Sequence, residues 1–369
     1  MTWSCRVRRR SGKLDVMKKA TTTETPSIDT IKLGVDVHAD FHVVSVQEDG
    51  SSPKRGRRIR SDEFLDFVKE QQSRCAMLVA CYEAGPFGYA LHRQLQEIGV
   101  ANIVVCPRIW DEGGKAGKTD NLDAMALCQR LDRYHRGNRK AFDVVHVPTV
   151  DQELRRAASR QREQFQKLRK SLQSMGRCFL LTQGIRIGGR WWTAAPWQRL
   201  QSLCDARQLE HLAKYVPALE AIDASELELA QHLREKARPR ERTKGMGELT
   251  DECLESEVVD WTRFGNRRQV GSYSGLCPRE HSSGKKRRQG SVSKRGNVRI
   301  RTLMVEMAWR IQRYQPDYPP VAKRADVFEN GNSSQRKKAI VAVARRLFVD
   351  IWRVRSGQCQ WENLGLAPA

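Results

Sequence analysis

Hydrophobic and polar positions follow two different periods along this chain, and the changes of period divide it. IKLGVDV, residues 31–37, is an apolar run that predicts a buried strand. FHVVSVQ alternates as a second strand and is closed by the turn residues EDGSS, and KRGRRIR predicts a third, exposed strand. SDEFLDFVKEQQ predicts a helix capped by Ser61. CAMLVACYEAG predicts a buried strand ending at a Gly-Pro break, and helix FGYALHRQLQEIG with strand NIVVC completes a strand–helix–strand unit. DNLDAMALCQRLDRYH predicts a helix and DVVHVP a last strand. Strands first, then alternating helices and strands, predict a mixed α/β sheet over residues 29–149.

Beyond residue 150 the period becomes helical. From Leu154, apolar residues fall at Ala158, Phe165, Leu168, Leu172, Met175 and Phe179, with Gln161 the one polar interruption. That seam fits a coiled coil that dimerises or bridges domains, and equally an amphipathic helix packed on its own domain. A Trp-containing loop (Trp191, Trp192, Trp197), helix-forming sequence to Lys236 and the charged linker ARPRERTKG follow, so residues 150–240 are read as a helical, coiled-coil linker. Residues 241–355 are read as a mainly α C-terminal domain, and residues 1–28 and 356–369 as tails, the first basic and disordered. Within the C-terminal domain, GLCPREHSSGKKRRQGSVSKRGN has almost nothing to bury and predicts an exposed basic loop. The two helices expected after it, VRIRTLMVEMAWRIQRY and SSQRKKAIVAVARRLFVDIWRVR, each carry an apolar and a basic face.

Charge narrows the partner. Lys and Arg total 66 against 43 Asp and Glu, a formal net charge of +23. Neutralising phosphates releases counterions, so the excess points to nucleic acid before any other polyanion. No run of about 18 apolar residues exists, so no membrane span or membrane partner is expected. The basic N-terminus lacks the apolar segment of a secretory signal. The ten cysteines contain no CxxC pair and sit mostly in apolar runs, the pattern of reduced thiols in a cytoplasmic protein.

Four acids stand out by position. Asp36 lies inside the first strand between Val35 and Val37, where a carboxylate is costly unless paired or bound to a metal. Glu83 sits where the strand MLVACY ends, and Asp120 and Asp123 lie three apart at a helix start, sharing one face. Converging at one sheet edge, such acids offer hard oxygens to Mg²⁺ or Mn²⁺, and two ions about 4 Å apart can clamp a phosphoryl transfer. Taken alone, Asp120 and Asp123 also fit acids favoured by a helix dipole. Lys115 and Lys118, just before them, suit phosphate or plain solvation.

LGVDVHADFHVV, CYEAGPFGYAL and GKTDNLDAMAL resemble the N-terminal domain of the insertion-sequence one-ten family of transposases, its eleven-eleven subgroup included, with KTDxxDA the most specific stretch. SYSGLCPREHSSG followed by SVSKRGNVRIRTLM resembles that family's C-terminal domain. The likeness covers about residues 31–180 and 243–355 and departs at DVHAD, where relatives often have DxxK. It implies a ribonuclease H-like (Holliday-junction resolvase-like) DEDD domain with Asp36, Glu83, Asp120 and Asp123 holding Mg²⁺, a coiled-coil bridge, and a catalytic serine at Ser283. Chemistry alone leaves Ser283 level with Ser282, Ser291 and Ser293. With the resemblance, Arg279 and Lys294 are expected to steady phosphate charge. Lys285, Lys286, Arg295, Gly296, Asn297 and Arg301 complete a nucleic-acid surface, and Gly245 and Gly247 form a GxG turn. It further implies a dimer or tetramer near the bacterial nucleoid that acts on element and target DNA under a structured guide RNA. The competing readings are a metal-dependent nuclease without a serine step and a non-catalytic nucleic-acid binder.

Overall fold

In a computed structural model, residues 28–107, 119–280 and 289–369 are described. They fall into two compact units that divide between Val147 and Pro148. The expectations for Lys115, Lys118, Ser282, Ser283, Lys285, Lys286 and the N-terminal tail lie outside the described residues.

The first unit is a five-stranded mixed sheet. Strands β1 (Ile28–Val37), β2 (Phe41–Glu48), β3 (Arg57–Arg60), β4 (Cys75–Glu83) and β5 (Ala101–Val105) lie in the order β3-β2-β1-β4-β5. β3, β2 and β1 run antiparallel, and β1, β4 and β5 parallel. Helices α1 (Phe64–Ser73), α2 (Ala90–Glu97) and α3 (Asp120–His135) complete the described unit. The strand period of two sorts side chains between the faces. Ile31, Leu33 and Val35 of β1, with Leu78, Ala80 and Tyr82 of β4, pack into a core with Phe64, Phe67 and Val68 of α1 and Leu95 of α2. The alternate positions face α3, where Val79, Cys81 and Val105 meet Leu127 and Leu131.

Three details differ from the sequence expectation. Ser61 is not the cap of α1; its hydroxyl donates to the Ala39 carbonyl at 3.0 Å, and the N-cap is Glu63. The segment DVVHVP forms a bridge from Val144 to Val105 in place of a full strand, although Val145 and Val147 pack against the core and the Val145 N–H donates to the Val104 carbonyl at 2.8 Å. Helix α2 starts at Ala90, after Gly88 takes a φ of +65° that no helix contains.

The second unit is helical. α4 (Val150–Thr182) opens with a reciprocal capping box between Thr149 and Gln152. Helices α5 (Ala194–Leu203), α6 (Ala206–Ala213), α7 (Val216–Glu235) and α8 (Glu248–Val258) follow. Then come α9 (Arg267–Ser274), a two-stranded ribbon of β6 (Pro278–Glu280) and β7 (Gln289–Val292), and α10 (Val298–Tyr314). Last are α11 (Pro319–Ala322), α12 (Ala325–Asn330) and α13 (Ser333–Arg355). α4 lies on α7 and α8, and its heptad seam divides: Leu172 and Phe179 pack against a core with Trp191 and Leu212. Leu154, Leu168 and Met175 of that seam are exposed at 62%, 53% and 52%. The buried positions of α4 are Ser159, Gly176 and Leu180. The Trp-rich loop has a packing role: Trp191 is fully buried over Gly176, where a Cβ would stand 2.2 Å from the indole.

The C-terminal stretch read as a tail is part of the core. Trp361, Leu364 and Leu366 are buried with α10 and α13, and Ala367 accepts from Thr243 Oγ1 at 2.8 Å. These few apolar residues follow no helical or strand period, so periodicity did not reveal them. Among the described residues, no helix is long and apolar enough to cross a membrane.

Candidate functional site

The site in the first unit is built by one close approach. Gly34 of β1 faces α3, and a Cβ there would stand 2.3 Å from the Ala124 carbonyl oxygen and 2.5 Å from the Cys128 nitrogen. Only a residue without a side chain lets α3 lie so near. Farther along α3, the buried Lys32 ammonium pairs with Asp132 at 2.9 Å and tethers the helix to the same strand. Asp36 is two residues beyond Gly34, on the same face and nearer the strand end. The first turn of α3, carrying Asp120 and Asp123, is thereby laid beside it. Glu83 ends β4 one position past the Val35–Tyr82 register pair. It shares a face with Cys81, whose thiol donates to the Leu127 carbonyl of α3 at 3.6 Å. All four predicted acids therefore belong to the α3 side of the sheet, at the C-terminal ends of β1 and β4 and the N-terminus of α3.

The tightest grouping is Asp36, His38 and Asp120. One oxygen of each carboxylate and a ring nitrogen of His38 lie within 4.8 Å of one another. His38 Nε2 stands 3.3 Å from Asp36 Oδ2 and 3.7 Å from Asp120 Oδ2. Its backbone N–H donates to the Phe41 carbonyl at 3.1 Å, and its ring lies 4.7 Å from the Phe41 ring. Arg58 of β3 lies over the Phe41 ring at 4.5 Å and reaches Asp120 Oδ2 at 3.8 Å. Burial raises the Asp36 carboxyl above its ordinary range; His38 opposes this, while Asp120 and Asp123 add to it by repulsion. A divalent cation would relieve that repulsion, and three donors at this spacing suit one. The residues present thus fit the metal that the sequence implied.

The predicted nucleic-acid residues of the second unit divide. Lys294 and Arg295 are exposed at the turn between β7 and α10, with Lys294 at a φ of +56°. Arg279 is exposed on β6. The other three also make contacts within the protein. Gly296 has no room beside it, because a Cβ would stand 2.5 Å from the Tyr273 carbonyl oxygen and 2.6 Å from the Gly275 nitrogen. Its close approach on this side is to the end of α9. Asn297 caps α10 by accepting from the Arg299 and Ile300 amides, and donates to the buried Glu257 at 2.8 Å. Arg301 donates to the carbonyls of Ser274 and Lys294. These three hold the basic turn in shape. The GxG turn is present, with Gly245 at a φ of +93° and Gly247 as the N-cap of α8.

The sequence reading missed His38 and Arg58. Position 38 continues the alternation from Gly34 and Asp36, so its face was legible; its nearness to Asp120 depends on the α3 approach, which was not.

Residues 241–320, from before α8 through α11, match the model of the Transposase IS116/IS110/IS902 family. The match spans α8, the Gly275–Gly296 contact and the Asn297 cap. Similar chains extend over nearly the whole sequence. The transposase for insertion sequence element IS1111A of Coxiella burnetii is 26% identical over 368 residues, covering 95% of each chain. The C-terminal part of the chain thus matches a transposase family model, and likeness to a transposase runs over most of its length. The chain is also similar to the y4qE protein of Sinorhizobium fredii, which carries a transposase name and is 29% identical, covering 85% of this chain and 79% of its own. The transposase for insertion sequence element IS1328 of Yersinia enterocolitica is 25% identical, covering 85% of this chain and 92% of its own.

Proposed function

We propose that this protein is a transposase that cleaves and rejoins DNA strands by joining a DEDD metal site, Asp36, Glu83, Asp120 and Asp123, to a serine nucleophile, Ser283. The observation that carries the reading is the grouping of Asp36, His38 and Asp120, with Asp123 near enough to act on Asp36, whose carboxyl is raised by burial and by these acidic neighbours. The strand order β3-β2-β1-β4-β5, antiparallel on one side and parallel on the other, supports a ribonuclease H-like first unit.

In this reading Asp36, Glu83, Asp120 and Asp123 hold Mg²⁺ or Mn²⁺, which supplies charge stabilisation to the scissile phosphate. The Ser283 hydroxyl forms a bond to phosphorus, and the bond from phosphorus to the leaving deoxyribose oxygen breaks. The result is a phosphoserine link to one DNA end and a free hydroxyl on the other. The reverse exchange with a hydroxyl of the other DNA rejoins the strands and frees the serine. Arg279, Lys294 and Arg295 are exposed and suit phosphate, and the net charge of +23 suits a protein that holds DNA and a structured guide RNA together. The exposed part of the α4 seam, at Leu154, Leu168 and Met175, supports assembly as a dimer or tetramer through that helix.

The test is a cleavage assay with Mg²⁺ on full-length protein and its co-purified RNA, using DNA that spans the element junction. Products are separated on a denaturing gel before and after protease. A protease-sensitive protein–DNA adduct, absent in Ser283→Ala and in Asp36→Ala, is the expected result. Free nicked DNA that forms equally well in Ser283→Ala would replace this reading with a metal nuclease.

A further inference from the structure

We infer that His38 is itself a metal ligand, through Nε2, and that it makes the site select Mn²⁺ or Co²⁺ over Mg²⁺. This inference rests on the metal site proposed above.

Position comes first. His38 Nε2, not the backbone side of the ring, faces the carboxylates, at 3.3 Å from Asp36 Oδ2 and 3.7 Å from Asp120 Oδ2. With metal–ligand bonds of about 2.1 Å, two donors on one ion stand about 3 Å apart when adjacent and about 4 Å apart when opposite. Both distances fall in that interval. The ring is held before any ion arrives, by the His38–Phe41 backbone hydrogen bond and by the Phe41 ring, whose contact with Arg58 fixes it in turn. The side chain is only about one-third exposed, so it has few other places to go.

Donor chemistry gives the selectivity. A site made only of carboxylates offers hard oxygens and suits Mg²⁺, which gives up water reluctantly. Exchanging one oxygen for an imidazole nitrogen favours the transition-metal ions over Mg²⁺, with affinity rising from Mn²⁺ through Co²⁺ to Ni²⁺. The neutral ring also adds no negative charge to a cluster in which Asp36 is already opposed by Asp120 and Asp123. A His that served only as a counter-charge to these acids would be displaced by the cation and would leave selectivity untouched.

The experiment is equilibrium binding of Mn²⁺ and of Mg²⁺ alone to the full chain, with the nitrogen modulation of bound Mn²⁺ read by pulsed electron paramagnetic resonance. Wild type is expected to favour Mn²⁺ and to show imidazole modulation. His38→Ala is expected to lose about tenfold or more in Mn²⁺ affinity, to change little toward Mg²⁺ and to lose the modulation. His38→Asp, which offers oxygen, is expected to shift the preference to Mg²⁺ and so to show that the fold survives. An unchanged Mn²⁺-to-Mg²⁺ ratio and persisting modulation in His38→Ala overturn the inference while leaving the carboxylate site standing. Binding that is absent from wild type, or indifferent to Asp36→Asn, overturns the carboxylate site itself and this inference with it.

Discussion

Two groups of acids in this molecule have opposite fates. On α8, Asp251, Glu252 and Glu257 are almost fully buried, and arginines distant in sequence converge on them. Arg155 and Arg240 bind Glu252, Arg240 and Arg355 bind Asp251, and Arg160 holds Glu257 through two bonds of 3.0 Å. On the other side of the unit boundary, Asp36 and Asp120 are 28% and 45% exposed and have His38 and Arg58 no nearer than 3.3 Å and 3.8 Å. Burial works against the ionised form in both places. At Glu257 the bonds from Arg160 and Asn297 overcome it and hold the carboxyl below its ordinary range, whereas at Asp36 burial and the neighbouring acids win. The α8 acids are structural pairs, completed by the protein itself. Those of the first unit are left partly open and suit an outside cation. The count of acids in each group teaches less than the count of cations already seated on them.

The largest expected effect comes from breaking the open group. Asp36→Asn or Asp120→Asn should reduce strand-transfer activity by more than about 100-fold, given what even outer-shell changes do at metal sites, with the protein still folded by circular dichroism. Next is the closed group. Glu257→Gln leaves Arg160 and Arg299 without their buried partner and should cost about 3 kcal/mol in denaturant unfolding. A loss below about 1 kcal/mol would mean that the α8 pairs are ornament and the contrast is false. Gly34→Ala tests the approach that builds the open site. It should cost about 1–3 kcal/mol by overpacking and also weaken Mn²⁺ binding, since α3 must move to admit the methyl group.

The smallest effect is in pH. Because the folded-state pKa of Glu257 is lowered, its contribution is full above the ordinary value of 4.5 and is lost as pH falls through the lower folded value. Thermal melts from pH 6 down should therefore show an acid-side loss of stability that is shallower in Glu257→Gln. Not every acid of α8 is so well served: Glu255 is raised by burial despite Arg355 and Arg240, so it contributes in the opposite sense.

Much of the first unit was legible because its periods are clean. The alternation of Ile31, Leu33 and Val35 against Gly34 and Asp36 gave both the strand and the face on which the acid lies. α3 runs over Asp120–His135, the span of the apolar and polar pattern DNLDAMALCQRLDRYH. The arrangement of the acids was harder to see, since it depends on the missing Cβ of Gly34, and glycine in a strand has several meanings. ELTDECLESEV on α8 is rich in acids, yet most of it is buried, because the arginines that make burial tolerable come from α4, the 240 region and α13. The heptad seam misled in another way. Its spacing marks an apolar stripe truly, but α4 packs on its own unit with only part of that stripe, Leu172 and Phe179, and buries Ser159 and Gly176 beside it.

The central contrast is tested most directly by thermal unfolding of wild type, Asp36→Asn and Glu257→Gln, each after chelation and again with added Mn²⁺. Wild type should gain stability with Mn²⁺. Asp36→Asn should melt higher than wild type when metal-free, because a repulsion is removed, and should gain little from Mn²⁺. Glu257→Gln should melt lower than wild type but keep the Mn²⁺ gain. A Mn²⁺ gain that survives Asp36→Asn, or a metal-free Asp36→Asn that melts well below wild type, would contradict the account and make the first group of acids structural as well.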